Sequence, residues 1–194
     1  MSMPANGQLY PVNLVVRDRR CLVVGTGAVA EGKARQLSDC GARVDVVAPE
    51  DYRPGGLDGY RLVVATSDPA FNRALYEEAE AAGVWINSAD DPANCSFTLP
   101  AVARRGPVMV TASTGGRSPA LATWLRRRFE AELGPEYEVL VDLLASERAA
   151  IQADGRSTEG LDWQTALDSG MLDLIRTGQV QEARERLQAC LSSS

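Results

Sequence analysis

The sequence predicts an α/β protein in which a parallel sheet is followed by a helical region. Through the first half of the chain, short apolar runs alternate with segments of helical periodicity, a pattern typical of parallel strands with right-handed crossovers. A glycine-rich turn, Gly25 to Ala30, follows the first apolar run and opens the first helical segment. Beyond Ser113 helical periodicity dominates, which predicts a change of architecture there.

The strands are expected to be buried, because each run is short, rich in β-branched residues and bounded by turn or helix signals. Two further apolar runs, Ser96–Leu99 and Val108–Ala112, are expected to extend the sheet, so that the first domain closes near Ser113. The predicted strands are Arg20–Val24, Arg43–Ala48, Arg61–Ala65 and Val84–Ile86, with helices at about Val29–Cys40 and at Pro69–Ala82.

The second half of the chain reads as a series of helices. Ser118 and Pro119 form a cap and first-turn pair. Apolar side chains then recur every four residues along one helical face, at Leu121, Leu125, Phe129 and Leu133. This stripe is expected to pack against another part of the protein or a partner. A second helix is predicted over Glu136–Ile151, followed by a polar loop and by short helices that break at Gly170 and Gly178.

Composition indicates an ordinary soluble globular protein. Hydrophobic residues make up 45% and charged residues 24% of the 194 residues, and no apolar run is long enough to span a bilayer. The first twenty residues lack the pattern of a signal peptide, and the four cysteines are widely spaced without a C-x-x-C pair. We therefore expect a cytoplasmic protein with reduced thiols.

Two absences restrict the chemistry. The chain contains no histidine, which excludes a histidine base or metal ligand, and Lys33 is its only lysine. The Y-x-x-x-K pair of short-chain dehydrogenases would need a tyrosine at position 29, which is Val29. That dehydrogenase class is therefore excluded.

Charge is distributed unevenly along the chain. The segment from Pro92 to Phe129 carries +6 and no acidic residue, so the remainder of a chain whose total is −6 carries −12. A basic segment in an acidic protein favours a local anionic ligand over nucleic acid. The alternative is that some of these arginines form a solvated helix face; the six are Arg104, Arg105, Arg117, Arg126, Arg127 and Arg128.

The turn after the first strand fits the dinucleotide fingerprint G-x-G-x-x-[GA] in its usual strand–turn–helix context. Gly25 permits the tight turn, Gly27 lets a pyrophosphate approach the backbone beside Ala28 and Val29, and Ala30 allows close packing of helix and strand. The pattern predicts a Rossmann-type sheet with a bound NAD. The alternative is a glycine turn in a cofactor-free α/β fold.

Polar residues at the ends of the next two strands extend the predicted cofactor site. Pro49 and Glu50 follow the second strand, where a carboxylate can accept from the ribose 2′-hydroxyl and would repel a 2′-phosphate, favouring NAD over NADP. Thr66 and Asp68 follow the third strand. Glu50 could instead be ordinary surface charge, and Asp68 is favoured as the N-cap of the helix at Pro69.

Two carboxylates, Asp90 and Asp91, follow the fourth strand, where the reacting end of the cofactor is expected. Without histidine, a carboxylate is the natural proton acceptor, and Asp90 is the candidate because Asp91 precedes Pro92 and looks like a turn former. From the residues alone, a turn role for both remains open.

A third polar segment precedes the helix at Pro119. Its hydroxyls, its glycines and Arg117 lie at a helix N-terminus, which suits a carboxylate or phosphate, although a capped helix start without ligand is the compatible alternative. The segment consists of Ser113, Thr114, Gly115, Gly116, Arg117 and Ser118.

Together these motifs resemble the precorrin-2 dehydrogenase and sirohydrochlorin ferrochelatase family, whose module also forms part of siroheme synthase. The resemblance covers residues 9–133 closely and the helical remainder loosely. It is carried by Leu9 to Val12, the Gly25 turn through Glu31, Lys33 and Ala34, Val47 to Pro49, Ala65 to Asp68, Asn72, Asn87, Asp90, Ser96, Phe97 and Ser113 to Ala120.

The resemblance implies a homodimer that oxidises precorrin-2 to sirohydrochlorin with NAD, the tetrapyrrole lying in a cleft between subunits. It implies an NAD-binding Rossmann domain at residues 1–113, a dimerisation region at 114–150 and a helical domain at 151–194. The family's catalytic aspartate falls on Asp90. Some members also insert ferrous iron with that aspartate, and sequence cannot separate the two activities.

Precorrin-2 carries eight carboxylates, for which the resemblance and the charge pattern suggest Ser113 to Arg117, Arg104 and Arg105 as binding residues. Thr114 departs from a serine in some members, and Gly-Thr-Gly replaces three glycines found in many. The chain ends at Ser194, so we expect precorrin-2 to come from another protein. A non-catalytic NAD-sensing module, needing neither Asp90 nor the arginines, is the alternative function.

Overall fold

A computed structural model describes residues 9–192, so the first eight residues of the predicted first domain and the last two of the helical one lie outside the described part. The chain forms two compact units, Met1–Leu99 and Pro100–Ser194. The first unit is therefore shorter than the predicted domain of residues 1–113.

The first unit contains the predicted alternation of strands and helices. In chain order these are β1 (Arg20–Gly25), α1 (Gly27–Asp39), β2 (Arg43–Val47), β3 (Leu62–Thr66), α2 (Pro69–Ala82) and β4 (Trp85–Ser88). All three strand pairs are parallel, in the order β2-β1-β3-β4, which confirms the Rossmann-type sheet. Short 3-10 turns follow β2 at Pro49–Asp51 and β4 at Pro92–Asn94.

Both faces of β1 and β3 are covered, as the continuous apolar runs predict. Because successive side chains point to opposite faces of a strand, Leu22 and Val24 pack with Leu75 of α2. Cys21 and Val23 pack on the other face with Ala30 of α1, which is 1% exposed. The small third residue of the fingerprint therefore lies where helix and strand make contact.

The expectation that two more runs extend the parallel sheet is wrong. Ser96–Leu99 forms no strand, and the amides of Ser96 and Phe97 donate to the Ile86 carbonyl beside β4. In the second unit β5 (Ala101–Arg105) pairs antiparallel with β6 (Val108–Ala112). Only Gly106 and Pro107 separate these strands, and such a short connection makes an antiparallel hairpin, since a parallel pair needs a long crossover.

Five helices complete the second unit, and their breaks at Gly170 and Gly178 were predicted. They are α3 (Pro119–Glu132), α4 (Glu136–Ala153), α5 (Trp163–Asp168), α6 (Met171–Arg176) and α7 (Val180–Ser192). Leu140, Leu143 and Ile151 of α4 share one buried cluster with Met171 and Leu187. The predicted boundary between residues 150 and 151 thus lies inside α4, which packs with the later helices.

Helix α3 packs on β5 and β6 but leaves much of its surface exposed in the single chain. No residue from Pro119 to Glu132 is buried, and Leu121 and Trp124 are 46% and 52% exposed. Of the predicted stripe only Leu133, just beyond the helix, is buried. Leu125 and Phe129 are half-buried, and α3 packs on β5 and β6, so the hairpin covers part of the predicted stripe and leaves Leu121 exposed.

Within residues 9–192, none of the helices combines the length and the apolar character that crossing a membrane requires.

Candidate cofactor and substrate site

The carboxyl ends of three strands bring the predicted cofactor residues together in the first unit. Gly25 at the end of β1 pairs in register with Thr66 of β3, and the preceding Ala65 pairs with Ser88 of β4. Ligands of open parallel sheets bind outside this edge. The turns after β1, β3 and β4 therefore border one crevice, as predicted.

Gly25 and Thr66 are in close contact. A Cβ atom at Gly25 would lie 1.8 Å from Thr66 Oγ1, and Gly25 has a φ of 155°, which L side chains rarely adopt. Gly27 differs, because a Cβ there would meet nothing within 4 Å, at a φ of 78°. The first glycine therefore serves packing within the sheet, while the second leaves open space in front of the turn.

The first turn of α1 presents amides without partners of its own. The opening N–H groups of any helix have no acceptor within it, and the side chain of the N-cap Thr26 makes no capping hydrogen bond. Ala28 and Val29 are exposed, and no acidic residue lies in this turn. With the positive end of the helix dipole, these groups suit a pyrophosphate.

Two hydroxyls at the same edge are buried without a hydrogen-bond partner among the described residues. They are Thr66 Oγ1 and Ser88 Oγ, at the ends of β3 and β4. Buried polar atoms normally have a partner, so an exception needs a reason such as a water or ligand. The orphaned hydroxyls and the open turn at Gly27 both fit a bound dinucleotide.

Glu50 lies in the 3-10 turn Pro49–Asp51 directly after β2, and its side chain is exposed. Arg53, two residues beyond the turn, donates from Nη1 to the Glu50 carbonyl oxygen at 3.0 Å, so a cation lies beside the turn. This arginine was not among the residues predicted from the sequence, although its spacing of three residues from Glu50 was a signal. A carboxylate and a guanidinium therefore lie close together after β2.

The N-cap role expected for Asp68 is confirmed. Its Oδ1 accepts from the amides of Ala70 and Phe71, each at 3.0 Å, and these hydrogen bonds lower the pKa of its carboxyl. Asn72 is buried and holds the preceding turn, because its amide group accepts from the Ser67 N–H and donates to the Ser67 carbonyl. A cofactor contact by Asp68 stays a prediction.

The two aspartates after β4 have different surroundings. Asp91 is the N-cap of the Pro92–Asn94 turn, and its Oδ2 accepts from Asn94 Nδ2 at 2.7 Å, which confirms its expected turn role. Asp90 is exposed and has a φ of 58°, one of two left-handed conformations among the described non-glycine residues. Of the two, Asp90 has the side chain available to a substrate.

The residues predicted to hold substrate carboxylates lie in the second unit. The Ser113 and Thr114 hydroxyls accept from the amides of Gly115 and Ser118, and Ser118 Oγ caps α3 at the Leu121 amide. The structure thus shows a capped helix start. Gly116 and Arg117 of the same loop are exposed.

The two arginines of the hairpin differ in their availability. Arg104 is exposed and lies opposite Met109, with its Nη2 3.1 Å from the Met109 sulfur. Arg105 is half-buried and donates from Nε to the Leu133 carbonyl at 3.0 Å. Arg105 therefore joins the hairpin to the end of α3, a contact that its position in the sequence did not reveal.

A cavity of about 730 Å³ lies elsewhere in the first unit, beside the amino ends of β3 and β4. Arg61, Gly83 and Val84 line it, together with Leu57 and Glu78. Gly25, Thr66 and Asp90 do not contribute to it.

Comparison with known proteins identifies the relatives of this chain. A family model described as putative NAD(P)-binding matches residues 12–101, so the chain binds a nicotinamide cofactor. Siroheme synthases from Chromobacterium violaceum and Nitrosococcus oceani are each 34% identical, over 93% and 95% of this chain. The siroheme synthase of Nitrosomonas eutropha is 33% identical over 95%. The chain belongs to the precorrin-2 dehydrogenase and siroheme synthase family.

The chain spans 43% to 44% of the length of these siroheme synthases. A solved structure described as SirC, precorrin-2 dehydrogenase, has a TM-score of 0.65 to this chain at 22% identity. The match covers 94% of this chain and 98% of that one, so the two share their fold over nearly their full lengths.

Within this family fold, sequence reasoning missed the residues that surround Asp90. Asn94 is buried, and the Cys95 sulfur lies within hydrogen-bonding distance of backbone groups of Ser88 and Asp91. Nothing in the local pattern of the sequence distinguishes this cysteine from the other three. The loop after β4 is therefore held by hydrogen bonds that could not be predicted from the sequence.

Proposed function

We propose that this chain oxidises precorrin-2 to sirohydrochlorin, with NAD as the hydride acceptor, in the cytoplasm. The observation that carries the proposal is the exposed carboxylate of Asp90, at the carboxyl edge of a sheet whose first turn suits a dinucleotide. The similarity to siroheme synthases over 93% to 95% of the chain supports the choice of substrate.

Different residues of the first unit would bind the cofactor and accept the proton. The amides at Gly27, Ala28 and Val29 would hold the pyrophosphate, and Thr66 would lie beside the bound cofactor. The nicotinamide supplies a hydride acceptor when bound. Asp90 would take the proton that leaves the substrate, so that loss of a hydride and a proton together extends the ring conjugation.

The substrate would be held through its carboxylates. Precorrin-2 carries eight of them, and Arg104 and Arg117 have exposed guanidinium groups with no ion pair among the described residues. Arg105 already donates to the Leu133 carbonyl, so we assign it a smaller share than the sequence suggested. The loop from Ser113 to Arg117 would add backbone amides.

The proposed cofactor is NAD, because Glu50 follows β2 where the ribose hydroxyls are expected. Arg53 beside the same turn would lessen the discrimination against a 2′-phosphate. We expect NAD to bind about tenfold more tightly than NADP, a difference of roughly 1.4 kcal/mol. Glu50→Gln should narrow this ratio, whereas Arg53→Gln should widen it, and equal binding of both cofactors by the unaltered protein would contradict the assignment.

The proposed homodimer rests on α3, where the Leu121 and Trp124 side chains are exposed in the single chain. No specific contact of the described residues favours iron insertion, so the proposal stops at oxidation. It is tested by mixing the purified chain with precorrin-2 and NAD while recording visible and near-ultraviolet spectra. Sirohydrochlorin and NADH should appear in equal amounts; NAD binding without turnover would instead support a cofactor-sensing module.

A further inference from the structure

The loop after β4 holds Asp90 in a conformation that an aspartate rarely adopts. Its φ of 58° lies in the left-handed region, which aspartate enters more readily than most residues but not freely. Backbone of this kind persists where surrounding contacts fix it, and it often occurs at functional sites. The contacts that fix Asp90 are therefore informative.

The thiol of Cys95 ties the two backbone segments that flank Asp90. Its sulfur accepts from the Ser88 amide at 3.2 Å and lies 3.3 Å from the carbonyl oxygens of both Ser88 and Asp91. One S–H thus bridges the peptide groups before and after Asp90. Burial raises the pKa of the Cys95 thiol, which keeps this donor protonated.

Asn94 adds a second set of ties. Its side-chain amide donates to the Asp91 carboxylate at 2.7 Å, and its backbone amide donates to the Asp91 carbonyl at 3.1 Å. The Asp91 amide donates in turn to the Ser88 carbonyl at 3.3 Å. Asn94 is 7% exposed, so these hydrogen bonds are largely shielded from water.

The loop is also anchored to the sheet. The Ala89 amide donates to the Ala65 carbonyl of β3 at 2.8 Å, which continues the parallel ladder beyond β4. Asp90 itself, with its side chain exposed, is the one residue between this anchor and the Asp91 contacts. The loop therefore has a fixed frame and a single projecting carboxylate.

We propose that Cys95 and Asn94 are positioning residues for the oxidation: together they fix the loop from Ser88 to Cys95 so that Asp90 presents its carboxylate in one direction. The inference rests on the proposed function, in which Asp90 accepts the proton. Neither residue need touch substrate or cofactor. Misplacing a reacting group by about 1 Å can lower turnover by about 10²-fold, so such positioning should be measurable.

The first test compares Cys95→Ala with Cys95→Ser, and takes Cys40→Ala as the control. Cys40 is exposed at the end of α1, so its replacement should leave turnover unchanged. Cys95→Ala should lower kcat at saturating NAD and precorrin-2 by about tenfold or more, with less than about a twofold change in NAD affinity. Serine can make the same donor and acceptor contacts, so Cys95→Ser should retain most of the activity.

A combined variant separates this role from others. If Cys95 acts through Asp90, adding Cys95→Ala to Asp90→Asn should cause no further loss of kcat, because coupled residues are not additive. An equal loss in both backgrounds would show that Cys95 acts elsewhere and would overturn the inference. So would full activity of Cys95→Ala in an enzyme that Asp90→Asn inactivates.

Hydrogen exchange tests the loop independently of activity. Cys95→Ala should accelerate exchange of the Ser88, Asp91 and Asn94 amides by about tenfold, with little change in β1 and α1. Unchanged exchange of these amides in Cys95→Ala would refute the positioning role, whatever the activity of Asp90→Asn. Full activity of Asp90→Asn would refute the assignment of Asp90 as the base, but it would not bear on the exchange result. Should Cys95→Ala fail to fold, Asn94→Ala removes the second tie and should give the same pattern of exchange and kcat.

Discussion

Three glycines within eight residues of the β1–α1 segment should respond differently to alanine. At Gly25 the added Cβ would lie 1.8 Å from Thr66 Oγ1 and 3.2 Å from the Thr66 carbonyl oxygen, at a φ of 155°. Overpacking costs about 1–3 kcal/mol and a sparsely populated φ about as much again. Gly25→Ala should therefore lower the free energy of unfolding by about 2–6 kcal/mol.

The other two positions serve as internal controls. Gly27 has open space around its Cβ position but a φ of 78°, so alanine there should cost only about 1–2 kcal/mol. Gly32 lies within α1 with neither constraint, so Gly32→Ala should stabilise the protein by about 0.5–1 kcal/mol. NAD affinity should instead be most sensitive at Gly27, because Gly27→Val would fill the space in front of the turn and weaken NAD binding.

Urea unfolding followed by circular dichroism measures the three stabilities, and calorimetric titration measures NAD affinity. Removing the Thr66 hydroxyl relieves the shortest contact, so adding Thr66→Ala to Gly25→Ala should recover part of the loss. Equal effects of alanine at Gly25 and Gly32 would refute the close contact of β1 with β3. Normal NAD binding by Gly27→Val would refute the assignment of the pyrophosphate to this turn.

Three further predictions concern catalysis, assembly and pH. Asp90→Asn should lower kcat by about 10²- to 10⁴-fold without changing NAD affinity, whereas Asp91→Asn should lower kcat much less. Steady-state kinetics at saturating NAD and substrate compares the two variants. A larger loss in Asp91→Asn would show that Asp91, not Asp90, is the base. Leu121→Glu with Trp124→Ala should convert the proposed dimer to a monomer at micromolar concentration while changing monomer stability little, since both side chains are exposed; sedimentation that shows the unaltered protein to be monomeric would contradict the role of α3. Asp68→Asn should weaken the start of α2 at neutral pH. The folded pKa of Asp68 is lowered by the Phe71 and Ala70 amides, so its contribution is present above the ordinary value of 3.8 and is lost as pH falls below it. The stability difference between the two proteins should vanish in acid, and a difference that persists there would exclude the charged cap as its cause.

The sequence determined the features whose causes are local. Short β-branched apolar runs predicted β1 and β3, and the fingerprint predicted the turn from Gly25 to Ala30, because each pattern acts over a few residues. The Asp68 cap, the Pro69–Ala82 helix and the helix breaks at Gly170 and Gly178 were predicted for the same reason. The absence of histidine directed attention to Asp90 before any geometry was known.

Features that depend on contacts between distant residues became visible only in the folded chain. The tertiary structure paired β5 with β6 instead of adding strands to the sheet, and it joined Arg105 to the Leu133 carbonyl, 28 residues away. It also placed Thr66 against Gly25 and folded Cys95 back onto Ser88. No periodicity in a sequence encodes such contacts, since they arise only when packing selects one arrangement of separate elements.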